Sequence, residues 1–191
     1  EPVNQTGSDP RIPESGKTSA RIGINPILIS DGNHHILLDT GLGWGLDAGS
    51  AYRNVSNIVS NLDIFNLKPG DITHVILTHL HYDHAAGCSY TDQEAVTRAT
   101  FPNASYYVQQ KEWKFALQQQ YNEFKQQGCG YQLDDLYRLA ADERFMFLED
   151  EKVEVLNGIE ILWTGGHTPG HQAIRIEDEG NSAYYLGDLL P

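Results

Sequence analysis

The sequence predicts one mixed α+β domain over residues 20–191, preceded by a flexible arm at residues 1–19. Three observations support this class. The chain of 191 residues can bury one hydrophobic core, and its 40% apolar and 20% charged residues are typical of globular domains. Short apolar stretches with strand spacing occupy both ends of the domain, whereas helical spacing dominates its middle. The arm is polar and contains three prolines, so we expect no packed structure there.

The first part of the domain predicts a hairpin, a loop, a helix and a buried strand. Residues 26–30 and 34–39 are apolar stretches joined by an Asp-Gly-Asn turn, which is a strong hairpin signal. The glycine-rich residues 40–45 predict a loop with free backbone amides. Apolar residues at helical spacing follow Ser50, which suits an N-cap. Residues 72–78 contain a continuous apolar run and predict a buried strand.

The middle of the domain predicts a helical insertion at about residues 109–142, followed by a series of strands. The aromatics of the insertion suit a helical cap that packs on itself, or a substrate wall that includes Trp113 and Phe115. Asn157-Gly158 is a hairpin turn of the strongest kind. The strands predicted after the insertion are residues 145–148, 153–156, 159–164, 172–177 and 182–186.

Charge and composition exclude several classes of function. The net charge is −13, from 13 basic and 26 acidic residues, so we expect no nucleic-acid surface. No apolar run approaches the ~20 residues that span a bilayer, so we expect no membrane insertion. Cys88 and Cys129 form neither a disulfide framework nor a zinc knuckle, and a single disulfide between them stays open. The arm lacks the basic-then-apolar pattern of a secretory signal, and the compartment, cytoplasmic or exported, stays open.

A cluster of ligand-type residues directly follows the predicted buried strand. It contains three histidines and one aspartate within six positions: His79, His81, Asp83 and His84. In an extended chain the first two histidines project to the same side, and a turn after Tyr82 would return the other two toward the same point. Unpaired polar groups cost a few kcal/mol each when buried, so the cluster needs a partner. The sequence therefore predicts a metal site for zinc or a similar cation.

Two later segments reinforce the prediction of a metal site. The glycines and proline of residues 164–171 fix a tight loop between two predicted strands, from which His167 or His171 can point out of the sheet ends. Asp188 ends an aromatic strand in a Gly-Asp pair and can act as a bridging carboxylate. We expect these loops to converge on the first cluster.

Together these motifs resemble the metallo-β-lactamase fold superfamily. The HxHxDH motif matches residues 79–84, the Gly-His-Thr-Pro-Gly-His motif matches residues 166–171, and Gly-Asp matches residues 187–188. Residues 39–41, Asp-Thr-Gly, resemble the turn beneath the metals of that family. The resemblance covers nearly the whole chain from about residue 25. It implies a four-layer αβ/βα sandwich, with the site at one sheet edge.

The resemblance also implies the role of each site residue. Metal one would be bound by three histidines: His79, His81 and His167. Metal two would be bound by Asp83 and His84, with Asp188 bridging both cations. Asp39 would be structural or would support the ligands, and His171 is our further candidate for a group that holds the ligand tautomers. Two divalent metal ions are implied, zinc first, with iron, manganese or cobalt as alternatives. The family's last histidine ligand, some forty-odd residues beyond the bridging aspartate, has no counterpart here, so we expect that the chain lacks the C-terminal part of the fold.

The chemistry implied is hydrolysis by a metal-bound hydroxide, with Asp83 as the catalytic carboxylate. Residues 108–113 and 158–161 look like the lactonase (quorum-quenching) branch, which opens N-acyl-homoserine lactones. A small-molecule ester or lactone is thus the expected substrate, and a homodimer is possible. Alternatives are a glyoxalase II-like thioester hydrolase, an organophosphate hydrolase and an inactive metal-binding module. A di-iron redox centre is disfavoured, because such proteins carry Glu where His81 stands.

Overall fold

The computed structural model of the chain describes residues 25–43, 57–123 and 130–190. The predicted arm at residues 1–19, the N-cap at Ser50 and Cys129 lie outside the described residues. Four α-helices lie in the described part: α1 (Ile58–Leu62), α2 (Tyr82–Ala85), α3 (Gln110–Glu123) and α4 (Leu136–Ala141). The described strands are β1 (Ile27–Ser30), β2 (His35–Leu38), β3 (His74–Ile76), β4 (Ser89–Thr91), β5 (Thr97–Ala99), β6 (Ser105–Gln109), β7 (Phe145–Leu148), β8 (Lys152–Leu156), β9 (Ile159–Trp163), β10 (Gln172–Asp178) and β11 (Asn181–Tyr185).

The predicted hairpin is confirmed as β1 and β2. The two strands pair antiparallel, with Ile27 opposite Leu38 and Ser30 opposite His35. The Asp31 carboxylate closes the turn because one oxygen accepts hydrogen bonds from the backbone N–H groups of residues 33 and 34, at 2.8 and 2.7 Å. The hairpin fixes the end of β2, and therefore Asp39, at the edge of the sheet that β2 joins.

The first sheet has the strand order β1-β2-β3-β6-β7, and its last four strands are parallel. Their carboxyl ends meet at one edge, which is where the predicted ligand cluster follows β3. The sequence analysis did not predict β6, which lies between β3 and β7 in this sheet. Its sequence, Ser-Tyr-Tyr-Val-Gln, is polar and aromatic, yet Tyr106 and Val108 are fully buried. The small β4–β5 hairpin was also not predicted.

The second sheet is antiparallel, in the order β11-β10-β9-β8, and contains the last four predicted strands within one residue at each end. It packs face to face on the first sheet through aliphatic side chains. Isoleucines and a leucine form this core between the sheets: Ile36, Leu38, Ile76, Ile159, Ile161 and Ile174. Burial of such side chains contributes about 25 cal/mol per Å² of apolar area.

Helices cover the other face of the first sheet. Residues that alternate with the intersheet set, such as Leu37 and Val75, pack there against Ile58 and Leu62 of α1 and Leu136 of α4. The described part thus supplies three of the four implied layers, helix, sheet and sheet. Two helices, α3 and α4, fall in the predicted helical insertion. Among the described residues, none of the helices combines the length and the apolar composition that crossing a membrane requires.

Candidate metal centre

The candidate site lies just beyond the carboxyl end of β3. After β3 the chain bends at Thr78, and His81 is the N-cap residue of α2. The turn predicted after Tyr82 is therefore one turn of helix that begins at Tyr82 itself, and it carries Asp83 and His84. His79 is fully buried, whereas His81 lies at the rim of the site.

Three imidazole nitrogens converge at this point. His81 Nδ1 lies 3.0 Å from His79 Nε2 and 3.0 Å from His167 Nε2. One nitrogen cannot donate its single proton fully to two others, so hydrogen bonding alone does not satisfy the group. Tetrahedral zinc with Zn–N bonds of ~2.0–2.1 Å places its nitrogen ligands about 3.3–3.4 Å apart. The donor set and its spacing therefore fit one cation bound by His79, His81 and His167.

A second group of donors lies beside the first. The donor atoms of His79, His84 and Asp188 all lie within 4.8 Å of one another. His84 Nε2 is 3.3 Å from Asp188 Oδ1 and 4.0 Å from Asp83 Oδ2. The other Asp188 oxygen, Oδ2, is 3.6 Å from His167 Nε2. Asp188 thus presents one oxygen to each group, which is the arrangement that a bridging carboxylate requires.

Asp39 contacts the second ring nitrogen of His84 directly, and it reaches that of His79 through Thr78. Its Oδ2 accepts a hydrogen bond from His84 Nδ1 at 2.8 Å, which leaves His84 Nε2 free to bind a cation. The Thr78 hydroxyl lies 2.9 Å from Asp39 Oδ2 and 3.0 Å from His79 Nδ1. It can donate to the carboxylate and accept from the imidazole, which leaves His79 Nε2 free as well. Such partners fix the tautomer and the orientation of metal-binding histidines.

The electrostatic environment separates the buried histidines into two kinds. Burial, followed by the neighbouring imidazoles, lowers the pKa of His79, so the ring is neutral, as metal binding requires. Burial and His167 likewise lower the pKa of His81. At His84 burial acts in the same direction, but the hydrogen bond and charge of Asp39, with Asp83 and Asp188, raise its pKa to about 9. A cation at His84 Nε2 would take the place of that proton.

His171 does not join the converging nitrogens. Its Nδ1 lies 2.8 Å from the Thr164 hydroxyl, and its ring centre is 5.3 Å from that of His79. Its Nε2 is buried without a hydrogen-bond partner. Burial, as the largest cause, lowers the pKa of His171 to about 4, so the ring is neutral at pH 7. Of the two histidines left open by the sequence, His167 is the one that faces the site, and a supporting role for His171 stays a prediction.

The two aromatics of the predicted substrate wall have different surroundings. Trp113 packs against Phe145 and Phe147 with ring centres 5.5 Å apart, as a core aromatic does. Phe115 lies 6.0 Å from the ring of Tyr131, which in turn lies 4.6 Å from the ring of His81. The contacts of Trp113 agree with the packing of a helical cap. A role of either residue in substrate binding stays a prediction.

Sequence reasoning missed Thr78 and Tyr185, which both act through Asp39. The Tyr185 hydroxyl lies 3.0 Å from Asp39 Oδ2, and burial followed by the Asp39 charge raises the pKa of that hydroxyl. No local signal marks either residue as part of the site. The link becomes visible only when the strand ends are assembled, because Tyr185 and Asp39 are separated by 146 positions.

Comparison with known proteins agrees with this geometry. A profile of the metallo-beta-lactamase superfamily matches residues 21–191. An N-acyl homoserine lactonase of Bacillus cereus is 31% identical over 129 residues, which cover 68% of this chain and 42% of that protein. The chain thus spans about two fifths of the length of the curated relatives it matches.

Comparison with solved structures agrees with the match to this superfamily. A probable metal-dependent hydrolase from Staphylococcus aureus superposes with a TM-score of 0.69 at 33% identity, over 85% of this chain and 57% of that one. An N-acyl homoserine lactone hydrolase, with N-hexanoyl-L-homoserine at its catalytic metal centre, gives a TM-score of 0.62 at 26% identity, over 84% and 61% of the two chains. With the strand order and the converging ligands described above, these matches establish that the chain belongs to the metallo-beta-lactamase superfamily.

Proposed function

We propose that the protein is a metal-dependent hydrolase with two divalent cations, zinc first, and with iron, manganese or cobalt as alternatives. The observation that carries this proposal is the convergence of three imidazole nitrogens on one point, with Asp188 facing both groups of donors. In this proposal His79, His81 and His167 would hold the first cation, and Asp83 and His84 would hold the second. Asp188 would offer one carboxylate oxygen to each group.

A lactone is the proposed substrate, and an N-acyl-homoserine lactone is the first compound to test. The support comes from similarity to proteins that are named N-acyl homoserine lactonases, at about 30% identity. A glyoxalase II-like thioester hydrolase and an organophosphate hydrolase use the same type of centre and remain the alternatives. A homodimer also stays a prediction.

The reaction follows from the chemistry of the site. When bound, divalent cations would lower the pKa of water toward ~7 and polarise the oxygen of the substrate carbonyl. Asp83, at the first turn of α2 with a side chain 24% exposed, can accept the proton released as water attacks the carbonyl carbon. It can return this proton to the alkoxide that leaves when the ring C–O bond breaks. Asp39 and Thr78 keep the ligand histidines oriented during these steps.

Metal content and turnover together test the proposal. The 191-residue chain is loaded with zinc and freed of excess metal, and its bound zinc is measured by mass spectrometry. Hydrolysis of N-hexanoyl-homoserine lactone, of a glutathione thioester and of an aryl phosphotriester is then followed with and without a chelator. We expect bound zinc and lactone opening that the chelator abolishes. The variant Asp83→Asn should lower turnover by about 10²–10⁴-fold.

The other outcomes separate the alternatives. Turnover of only the thioester or only the phosphotriester would replace the lactone assignment but keep the hydrolase. Bound zinc without turnover of any ester would favour the inactive metal-binding module. A folded protein that binds no divalent cation would overturn the proposal.

A further inference from the structure

Glu112 is a fully buried carboxylate in the first turn of α3, and it belongs to neither group of donors described above. Four donors from three separate segments surround it. Oε1 accepts hydrogen bonds from the Leu80 backbone N–H at 3.1 Å and from the Tyr131 hydroxyl at 3.0 Å. Oε2 accepts from the Thr168 hydroxyl at 2.6 Å and from the Gly170 backbone N–H at 3.2 Å. Sequence analysis did not single out this residue.

Three of these donors lie in the two loops that supply His79, His81 and His167. Leu80 lies between His79 and His81, and Thr168 follows His167 directly. One carboxylate therefore ties the first ligand loop, 32 positions away, to the second, 56 positions away. Because each oxygen serves a different loop, the width of the carboxylate fixes the distance between the loops.

The contact between α3 and the second loop leaves no space for a side chain at residue 170. A Cβ atom added to Gly170 would lie 2.2 Å from the backbone nitrogen of Glu112 and 2.4 Å from its Cα. The loop can lie this close to α3 only with glycine at that position. Close packing and the hydrogen bonds of Glu112 therefore both hold α3 against the loop that contains Gly170.

Tyr131 extends the same connection to His81. Its hydroxyl donates to Glu112, and its ring lies 4.6 Å from the ring of His81. In the described part of the chain, no lysine, arginine or histidine forms an ion pair with Glu112. A buried carboxylate needs compensation, and hydrogen bonds to a charged acceptor are roughly twice as strong as neutral ones. The four donors provide that compensation, so the loops are held by strong bonds.

We propose that Glu112 is a positioning residue that sets the separation of His81 and His167 and so the geometry of the first cation site. This inference rests on the metal centre of the proposed function. Glutamine in place of Glu112 keeps the shape, but one of its two terminal atoms donates instead of accepting. The two donors that face that atom then lose their acceptor, and the loop that carries them shifts.

The test uses cobalt(II) as the probe, because its visible absorption reports the ligand geometry independently of turnover. Wild type and Glu112→Gln are titrated with cobalt(II), and their zinc affinities are measured by competition with a chelator. We expect an altered cobalt spectrum and a zinc affinity about 10–100-fold lower in the variant, as for other groups that orient metal ligands. Thr168→Val should change the spectrum in the same direction, whereas Thr168→Ser, which keeps the hydroxyl, should restore it.

Gln120→Ala is the matched control on the same helix. Gln120 accepts a hydrogen bond from the Leu133 backbone N–H at 3.1 Å and donates to Asp134, so its loss weakens the insertion without touching either ligand loop. This variant should unfold at a lower temperature and keep the wild-type cobalt spectrum.

Each outcome decides a different point. A wild-type chain that binds no cobalt would remove the proposed function and this inference together. Binding by wild type with the same spectrum and affinity in folded Glu112→Gln would overturn the positioning role and leave the proposed function intact. If Glu112→Gln does not fold, Thr168→Val takes its place, and an unchanged spectrum in that variant would overturn the inference.

Discussion

Histidines gather at both ends of β3, but they are held in different ways. At the carboxyl end His79 is fully buried and His84 is 8% exposed. Their second ring nitrogens bind the buried Thr78 and Asp39, and Asp39 is far away in sequence. The free nitrogens of this end point toward each other and toward His81.

At the amino end each imidazole pairs with a near neighbour in sequence. His34 Nδ1 lies 2.9 Å from the Asp31 carboxylate, and the side chains of these two residues are 37% and 48% exposed. His35 pairs with Ser30, and His74 with Thr73, each at 2.8 Å. Among the described residues, the groups of ligand atoms within 4.8 Å of one another do not include these three histidines.

This difference indicates which histidines can form a metal site. Their ring nitrogens converge on one point and their second nitrogens have buried partners, whereas the number of histidines alone identifies no site. The rings at the amino end are partly exposed and have local partners, so they gain little from a cation. At the carboxyl end, the nitrogens of His79, His81 and His167 face one another, and a cation would satisfy all three together.

The largest expected effect comes from removal of a ligand at the carboxyl end. His79→Ala removes the nitrogen that belongs to both groups of donors. Its zinc affinity should fall by more than the 10–100-fold that is typical when only an orienting partner is lost. Calorimetric titration with zinc measures this. Wild-type affinity in a folded His79→Ala protein would mean that His79 does not bind the zinc.

Metal removal should have the next largest effect. A cation that binds only the folded state, at a free concentration 100 times its Kd, stabilises that state by about 2.7 kcal/mol. For a chain of this size this corresponds to a rise in Tm of roughly 5–10 °C. Thermal unfolding of the wild type with zinc and after chelation should show this shift, and the shift should be absent in His79→Ala. An equal shift in both proteins would place the bound zinc elsewhere.

Loss of the orienting carboxylate should weaken the site without removing it. Asp39→Asn keeps one acceptor oxygen, but the amide nitrogen cannot accept the hydrogen bonds that Asp39 receives from His84 and Tyr185. We expect zinc affinity to fall by about 10–100-fold. Competition with a chelator measures it, and Tyr185→Phe, which removes one of these donors, should have a smaller effect in the same direction.

The smallest effect is expected at the amino end of β3. His34→Ala removes a partly exposed ring whose partner is the exposed Asp31. The free energy of unfolding should stay within ~0.5 kcal/mol of wild type, and zinc affinity should not change. Denaturant unfolding and the same zinc titration test this. A loss of zinc affinity comparable with that of Asp39→Asn would mean that the two ends are coupled.

Much of the fold could be predicted from local patterns. The β1–β2 hairpin and the four strands β8–β11 appear in the sequence as short stretches with strand spacing, with strong turn signals at Asp31-Gly32 and Asn157-Gly158. β6 could not be predicted in the same way, because its polar and aromatic residues become a central strand only by pairing with β3 and β7, which lie far away in the chain. β-propensity depends on such neighbours.

HxHxDH places three imidazoles and a carboxylate within six positions, so the candidate ligands of the first cluster could be named from the sequence alone. The assembled fold shows that His167 is the histidine that faces this cluster, as the family resemblance implies. It also brings Asp39 and Thr78 to the far nitrogens of His84 and His79, and Glu112 to two loops that are distant in the chain. The reason is the distance along the chain over which each property is set. Side-chain direction along a strand or a helical turn is set by the backbone of neighbouring residues, whereas the partner of a buried polar group is set by which segments the hydrophobic core brings together.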